Sequence, residues 1–136
     1  MLKPALAFAI CLTASPGLAD DLLFFRSPSG NINCVLATGD YAAVRCDIAQ
    51  FTPSFNRRPD GCDLDWGDSF EIALTGRTGV LGCHGDTVIT PDAFTLEYDD
   101  ALESGGFSCI SRTTGMTCTN PRGHGFTVSK AAQRLF

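Results

Sequence analysis

The segment SGNINC, residues Ser29–Cys34, and the chain that returns to Cys46 decide the fold predicted from this sequence. If Cys34 lies opposite Cys46 in an antiparallel hairpin, then Leu36 lies opposite Val44, because side chains alternate between the two faces of a strand pair. One face is then apolar, and the other carries Asn31, Asn33, Arg45 and Asp47. A disulfide between the two cysteines would lock this register, since a slip of one residue would separate them.

Two later segments repeat this pattern in weaker form. Ser104–Cys109 returns through a glycine-containing turn to Cys118, and Gly67–Ile72 returns through a similar turn to Cys83. Short strands separated by turn residues predict an all-β fold, a small disulfide-stabilised sandwich or barrel of repeated β-hairpins. Because the three hairpins start at nearly equal spacing, a β-trefoil-like pseudo-threefold barrel is the alternative.

The segments outside these hairpins have less regular patterns. Ala49–Gly61 shows no periodicity and contains two prolines, so we expect a loop that covers the edge of the core with its phenylalanines. Thr87–Thr90 and Phe94–Tyr98 have the composition of short strands. At the C-terminus, Ser129 is placed to cap a short helix over Lys130–Leu135.

The N-terminus has the features of a secretory signal peptide. A lysine precedes the apolar run Ala5–Thr13, and the small residues of Gly17–Ala19 predict cleavage before Asp20. We therefore expect residues 1–19 to be a signal peptide and residues 20–136 to be a single disulfide-rich β domain, periplasmic or secreted. The apolar run is too short for a retained helix to cross a bilayer, so no membrane span is predicted.

The cysteine count agrees with export. Removal of the signal peptide removes Cys11 and leaves an even number of cysteines, which indicates a disulfide framework in an oxidising compartment. No C-x-x-C spacing is present, which disfavours a zinc cluster. Hairpin geometry favours the sequential pairing Cys34–Cys46, Cys62–Cys83 and Cys109–Cys118.

The charge of the chain limits its partners. The formal net charge is −5, and the acidic residues are spread along the sequence. Nucleic acids and anionic membrane surfaces attract clustered Lys and Arg, so neither is expected as a partner. We predict a monomer.

Four residues are candidates for a functional site. In an extended chain His84 and Asp86 point the same way, and with His124 nearby they would form a two-histidine, one-carboxylate set suited to iron or zinc. Alternatively, each histidine lies in a glycine-rich turn and bonds a backbone carbonyl. Trp66 would either stack on a sugar ring or pack in the core.

Several stretches together resemble a family of short exported bacterial proteins that is classed as a domain of unknown function. The resemblance implies export and paired cysteines, but it implies no activity. It also implies a glycine after Tyr98, where this chain has Asp99. The stretches that carry it are Phe25–Cys34, Val44–Ile48, Cys62–Gly67, Cys83–Thr87, Phe107–Ser111 and Gly123–Phe126.

Two functions follow as hypotheses. The favoured one is an exported non-enzymatic binding module without a cofactor, which presents loops on a disulfide scaffold to an envelope or extracellular protein or glycan. The alternative is a small metal-dependent enzyme that uses His84, Asp86 and His124. The two hypotheses can be distinguished by whether the side chains of His84, Asp86 and His124 converge on one cleft.

Overall fold

A computed structural model describes residues 21–136, which form strands and connecting segments without a helix. The predicted signal peptide, residues 1–19, and its cleavage site lie outside the described residues. Within residues 21–136 no helix is long and apolar enough to cross a membrane. The strands are β1 (Leu22–Arg26), β2 (Ile32–Ala37), β3 (Ala43–Ile48), β4 (Ser69–Ala73), β5 (Val80–Leu81), β6 (Phe94–Thr95), β7 (Ala101–Ser104), β8 (Phe107–Arg112), β9 (Gly115–Thr119), β10 (Gly125–Val128) and β11 (Gln133–Leu135).

The strands form two open sheets, which confirms the all-β class. A six-stranded sheet has the order β5-β4-β3-β2-β1-β6, and a five-stranded sheet has the order β11-β10-β9-β8-β7. All neighbours are antiparallel except β1 and β6. Neither sheet closes on itself, so the barrel and the β-trefoil-like alternative are not found in residues 21–136.

The opening hairpin has the predicted register. In the β2–β3 pair Ile32 lies opposite Ile48, Cys34 opposite Cys46 and Leu36 opposite Val44, with all six side chains buried. The polar face is also covered, since Asn33 is 5% exposed and Asp47 is 8% exposed. The outer face of this hairpin is therefore partly covered as well.

Both sheets contribute to one core. The rings of Phe70 and Phe126 lie 6.4 Å apart across the sheets. The disulfides of the two regular hairpins also meet there, with the Sγ atoms of Cys46 and Cys118 3.9 Å apart. The largest fully buried side chains include Phe25, Phe70, Phe107, Phe126, Leu36, Ile48, Ile72 and Met116.

The structure has three disulfides, Cys34–Cys46, Cys62–Cys83 and Cys109–Cys118. The middle one differs from the predicted hairpin repeat. Cys62 precedes β4 and Cys83 follows β5, so this bond joins the flanking segments rather than facing strands. Next to it, Asp65 and His84 exchange two backbone hydrogen bonds of 2.9 and 3.0 Å. The bond therefore helps to position His84.

Two predictions about connecting segments had different outcomes. Ala49–Gly61 is irregular, and its Phe51 and Phe55 pack against the core as expected. Thr87–Thr90 is not a strand, so that prediction was wrong. This segment pairs with none of the strands described, and its Val88 is buried.

The predicted C-terminal helix is also wrong. Ser129 donates from Oγ to the Ala132 carbonyl at 2.9 Å and accepts from the Ala132 amide at 3.2 Å, closing a hairpin turn. The chain then pairs with β10 as β11, and Gln133 donates to the carbonyls of Thr52 and Ser129. A helix this short is unstable alone, and pairing with the edge of the sheet satisfies more backbone groups.

Candidate functional site

Two of the predicted site residues lie in a polar cluster on the outer face of the six-stranded sheet. We call this the outer-face cluster; it consists of Arg45, Asp47, Asp68, His84 and Asp86. Arg45 points outward because its neighbour Cys46 points into the core. Its guanidinium donates to Asp47 and to Asp86, each at 2.8 Å, and its Nε also donates to Ser69 Oγ at 3.0 Å.

His84 is held between two acceptors. Its Nε2 lies 2.8 Å from Asp68 Oδ1, and its Nδ1 lies 2.8 Å from the Asp86 carbonyl oxygen. The doubly protonated ring can donate to both acceptors at once, so these two contacts favour the cationic form of His84. Burial lowers the pKa of His84, but the hydrogen bonds to Asp68 and to the Asp86 carbonyl outweigh it and raise the pKa above 6.5.

The outer-face cluster is not arranged as a metal site. A doubly protonated imidazole has no lone pair for a metal. The hydrogen bond from Arg45, followed by its positive charge, lowers the pKa of Asp86 and engages that carboxylate. Among residues 21–136 no three His, Cys, Asp or Glu side chains are grouped as metal ligands.

The structure does not add His124 to this cluster. His124 lies between β9 and β10 of the other sheet, and its backbone amide donates to Asn120 Oδ1 at 3.1 Å. Trp66 is half-buried and is absent from the buried core. Of the four predicted residues, only His84 and Asp86 are therefore brought together, and they are joined through a backbone carbonyl.

A different site lies at one end of the two sheets. This end pocket has a volume of about 470 Å³, compared with about 160 Å³ for the depression beside His84. It opens where the β1–β2 loop and the end of β3 meet the β8–β9 turn and the segment after β10. Its lining consists of Ser27, Ser29, Gly30, Asn31, Ile32, Ala49, Gln50, Tyr98, Ser111, Arg112, Thr113, Gly115, Met116, Ser129 and Lys130.

Ser111 is the unusual residue of the end pocket. Alternation along β8 places it on the same face as Phe107 and Cys109, and it is 1% exposed. Its backbone is fixed, since its amide donates to the Asp100 carbonyl at 3.0 Å and its carbonyl accepts from Asp99 at 2.7 Å. Its Oγ finds no hydrogen-bond partner among residues 21–136. A buried, unpaired hydroxyl costs about 1–3 kcal/mol.

The rim formed by the β1–β2 loop and the end of β3 is held by hydrogen bonds of its own side chains. Asn31 Nδ2 donates to the Gln50 carbonyl at 2.9 Å, and the Gln50 amide donates back to Asn31 Oδ1 at 2.8 Å. The hydroxyl of Ser27 accepts from the Ile32 amide at 3.1 Å. Asn31 thus lies before β2 and holds the rim of the end pocket. It was expected on the outer, polar face of the hairpin. A rim ordered in advance lowers the entropy cost of binding.

The charged residues that line the end pocket are both basic, Arg112 and Lys130. Among residues 21–136 no carboxylate, histidine or cysteine lines it, although the whole chain has 15 acidic and 10 basic residues. Ser111 therefore has no general base beside it in the part of the chain described. The arrangement can donate hydrogen bonds and attract negative charge, which are properties of a binding site.

Sequence reasoning missed this pocket because its lining comes from five separate segments. One local signal was available. In the stretch Phe107–Ser111 the alternation that buries Phe107 and Cys109 also places Ser111 toward the core, where a hydroxyl needs a partner. The turn after Tyr98 adjoins this pocket, and there the family resemblance implied glycine where this chain has Asp99. Asp99 adopts a φ of 72° there, a conformation that Asp tolerates better than most residues.

Residues 5–136 match the family model of DUF6636, which is described as a family of unknown function. The chain belongs to this family. No curated protein and no solved structure matches the chain. Membership in DUF6636 confirms that the resemblance is to a family without an assigned activity, so the function must be argued from the geometry of the site.

Proposed function

We propose that the protein is an exported, non-enzymatic binding module, periplasmic or secreted, that binds a glycan in the end pocket. The observation that carries this proposal is at Ser111, which lines a pocket of about 470 Å³ and whose buried hydroxyl has no partner among residues 21–136. A ligand hydroxyl or carbonyl oxygen would accept its proton and recover the lost hydrogen bond. The three disulfides are consistent with an oxidising compartment, which supports export.

The chemistry of the lining favours a glycan over a protein segment. The pocket is concave, and eight of its 15 lining residues carry a hydroxyl or amide side chain. Tyr98 adds an aromatic ring that is 41% exposed, with an apolar body and a polar tip suited to the face and edge of a sugar. The volume lies in the range of small-molecule sites, about 300–1,000 Å³.

The metal-dependent enzyme has no comparable support. Both ring nitrogens of His84 already have hydrogen-bond partners, and the Asp86 carboxylate is engaged by Arg45. The contacts of the outer-face cluster hold the segment after Cys83 against the six-stranded sheet. We therefore assign ligand binding to the end pocket and a structural role to the outer-face cluster.

The proposal is tested by blocking the mouth of the pocket. Thr113→Trp places a large ring at an exposed lining position of the β8–β9 turn, while Thr114→Trp changes its exposed neighbour, which does not line the pocket. Protein purified after export is titrated calorimetrically with short neutral and acidic oligosaccharides. We expect binding by wild type and Thr114→Trp, and at least about tenfold weaker binding by Thr113→Trp. Absence of saccharide binding, or unchanged binding by Thr113→Trp, would overturn the proposal.

A further inference from the structure

We infer that the end pocket selects an acidic saccharide, a sugar whose ring carries a carboxylate as in a uronic acid. This inference rests on the proposed function and adds the charge of the ligand. The chain as a whole is acidic, with a net charge of −5, yet the charged residues of this pocket are Arg112 and Lys130. The charged residues of the lining are thus opposite in sign to the net charge of the protein, and Lys130 adds a positive charge beside the Arg112–Asp99 pair, which favours an anionic ligand.

Arg112 retains donors for a ligand. Its Nη1 donates to Asp99 at 2.7 Å, in a surface pair whose side chains are 54% and 75% exposed. No other side-chain hydrogen bond of Arg112 forms with residues 21–136. A guanidinium has several N–H donors in a fixed plane, so the remaining ones can bind a carboxylate while Asp99 stays paired.

Lys130 is fixed at the pocket by its backbone rather than by its side chain. Its carbonyl accepts from the Thr52 amide at 2.8 Å, beside the turn that Ser129 closes. The side chain is exposed and forms no ion pair with residues 21–136. The ammonium can therefore reach a ligand charge without giving up a partner.

The combination with Ser111 indicates a sugar rather than a small inorganic anion. A small anion would be satisfied by Arg112 and Lys130 and would leave the buried hydroxyl unpaired. A uronic acid has a carboxylate for the cations and ring hydroxyls for Ser111, so one ligand can satisfy both kinds of group. Charge-assisted hydrogen bonds are stronger than neutral ones, which predicts that removing the carboxylate charge weakens binding by about tenfold.

The test compares trigalacturonate with the same oligosaccharide after methyl esterification, which keeps the rings and removes the charge. Calorimetry at low salt should give about tenfold tighter binding of the acid. Lys130→Gln and Arg112→Gln should each weaken binding of the acid by about threefold to tenfold and weaken binding of the ester by a smaller factor. Arg77→Gln is the matched control, because this exposed arginine does not line the pocket.

Each outcome has a distinct meaning. Equal affinity for acid and ester, abolished by Thr113→Trp, would overturn the charge preference while the binding function stands. No binding of either saccharide would overturn both the charge preference and the proposed binding function. Acetate that competes with trigalacturonate at equal molar concentration would show a simple anion site and would overturn the saccharide. Tighter binding of the acid, lost in Lys130→Gln but retained in Arg77→Gln, supports the inference.

Discussion

Ser111→Ala should make the protein more stable. The substitution removes only Oγ from a side chain that is 1% exposed and leaves Cβ against the core. The hydroxyl has no partner among the residues described, so its burial costs about 1–3 kcal/mol of the free energy of unfolding. The void that remains is smaller than a methyl group and costs less than about 1 kcal/mol. We therefore expect a net stabilisation of about 1 kcal/mol.

Urea unfolding with the disulfides intact measures this change from the transition midpoint at constant slope. Ser108→Ala is the matched control, because Ser108 lies on the same strand with its side chain on the opposite face, and it should change stability by less than about 0.5 kcal/mol. The same Ser111 variant should bind saccharide more weakly, so stability and affinity move in opposite directions. A destabilisation by Ser111→Ala would refute the reasoning, since it would show that the hydroxyl already has a partner.

Three further predictions concern the scaffold. Because the pKa of folded His84 is raised above 6.5, its stabilisation is complete below that value and is lost as pH rises through the folded pKa. Unfolding free energies measured from about pH 6 to about pH 9 should therefore fall in wild type and in the control His124→Gln, but much less in His84→Gln. The double variant Cys34→Ser, Cys46→Ser should lose roughly 2–4 kcal/mol in urea unfolding, and an unchanged midpoint would contradict the role of this disulfide. Gly125→Ala would press a methyl group into a facing backbone carbonyl and should cost about 3 kcal/mol or more by the same assay, whereas a tolerated alanine would contradict the close packing of β9 and β10.

The opening hairpin could be predicted because its information is local. Alternation fixes which face each side chain takes, and only one register places Cys34 opposite Cys46. The C-terminal helix could not be excluded in the same way. A serine that bonds an amide three residues later occurs both at a helix start and in the turn that Ser129 forms. The chain forms the turn and then a strand because the edge of β10 is available for pairing, and that edge exists only once the sheet has assembled.

The candidate site was predictable only in part for a similar reason. The sequence indicated that His84 and Asp86 would point the same way, but it could not show that Asp68 binds the His84 ring and Arg45 binds the Asp86 carboxylate, because those partners are distant in the chain. The end pocket depends still more on contacts between distant segments. Ser111 was the one lining residue with a local signal, because it takes a core-facing position in the alternating pattern of β8.

The most direct test of the central account is to map where an acidic saccharide binds. Trigalacturonate is added to isotope-labelled protein, and the shifts of its backbone amide resonances are followed by NMR. The account predicts that the largest changes occur around the end pocket, at the amides of Gly30, Gln50, Ser111 and Lys130, while those of Asp68 and His84 stay unchanged. Changes centred on the outer-face cluster, or no changes at saturating saccharide, would contradict it.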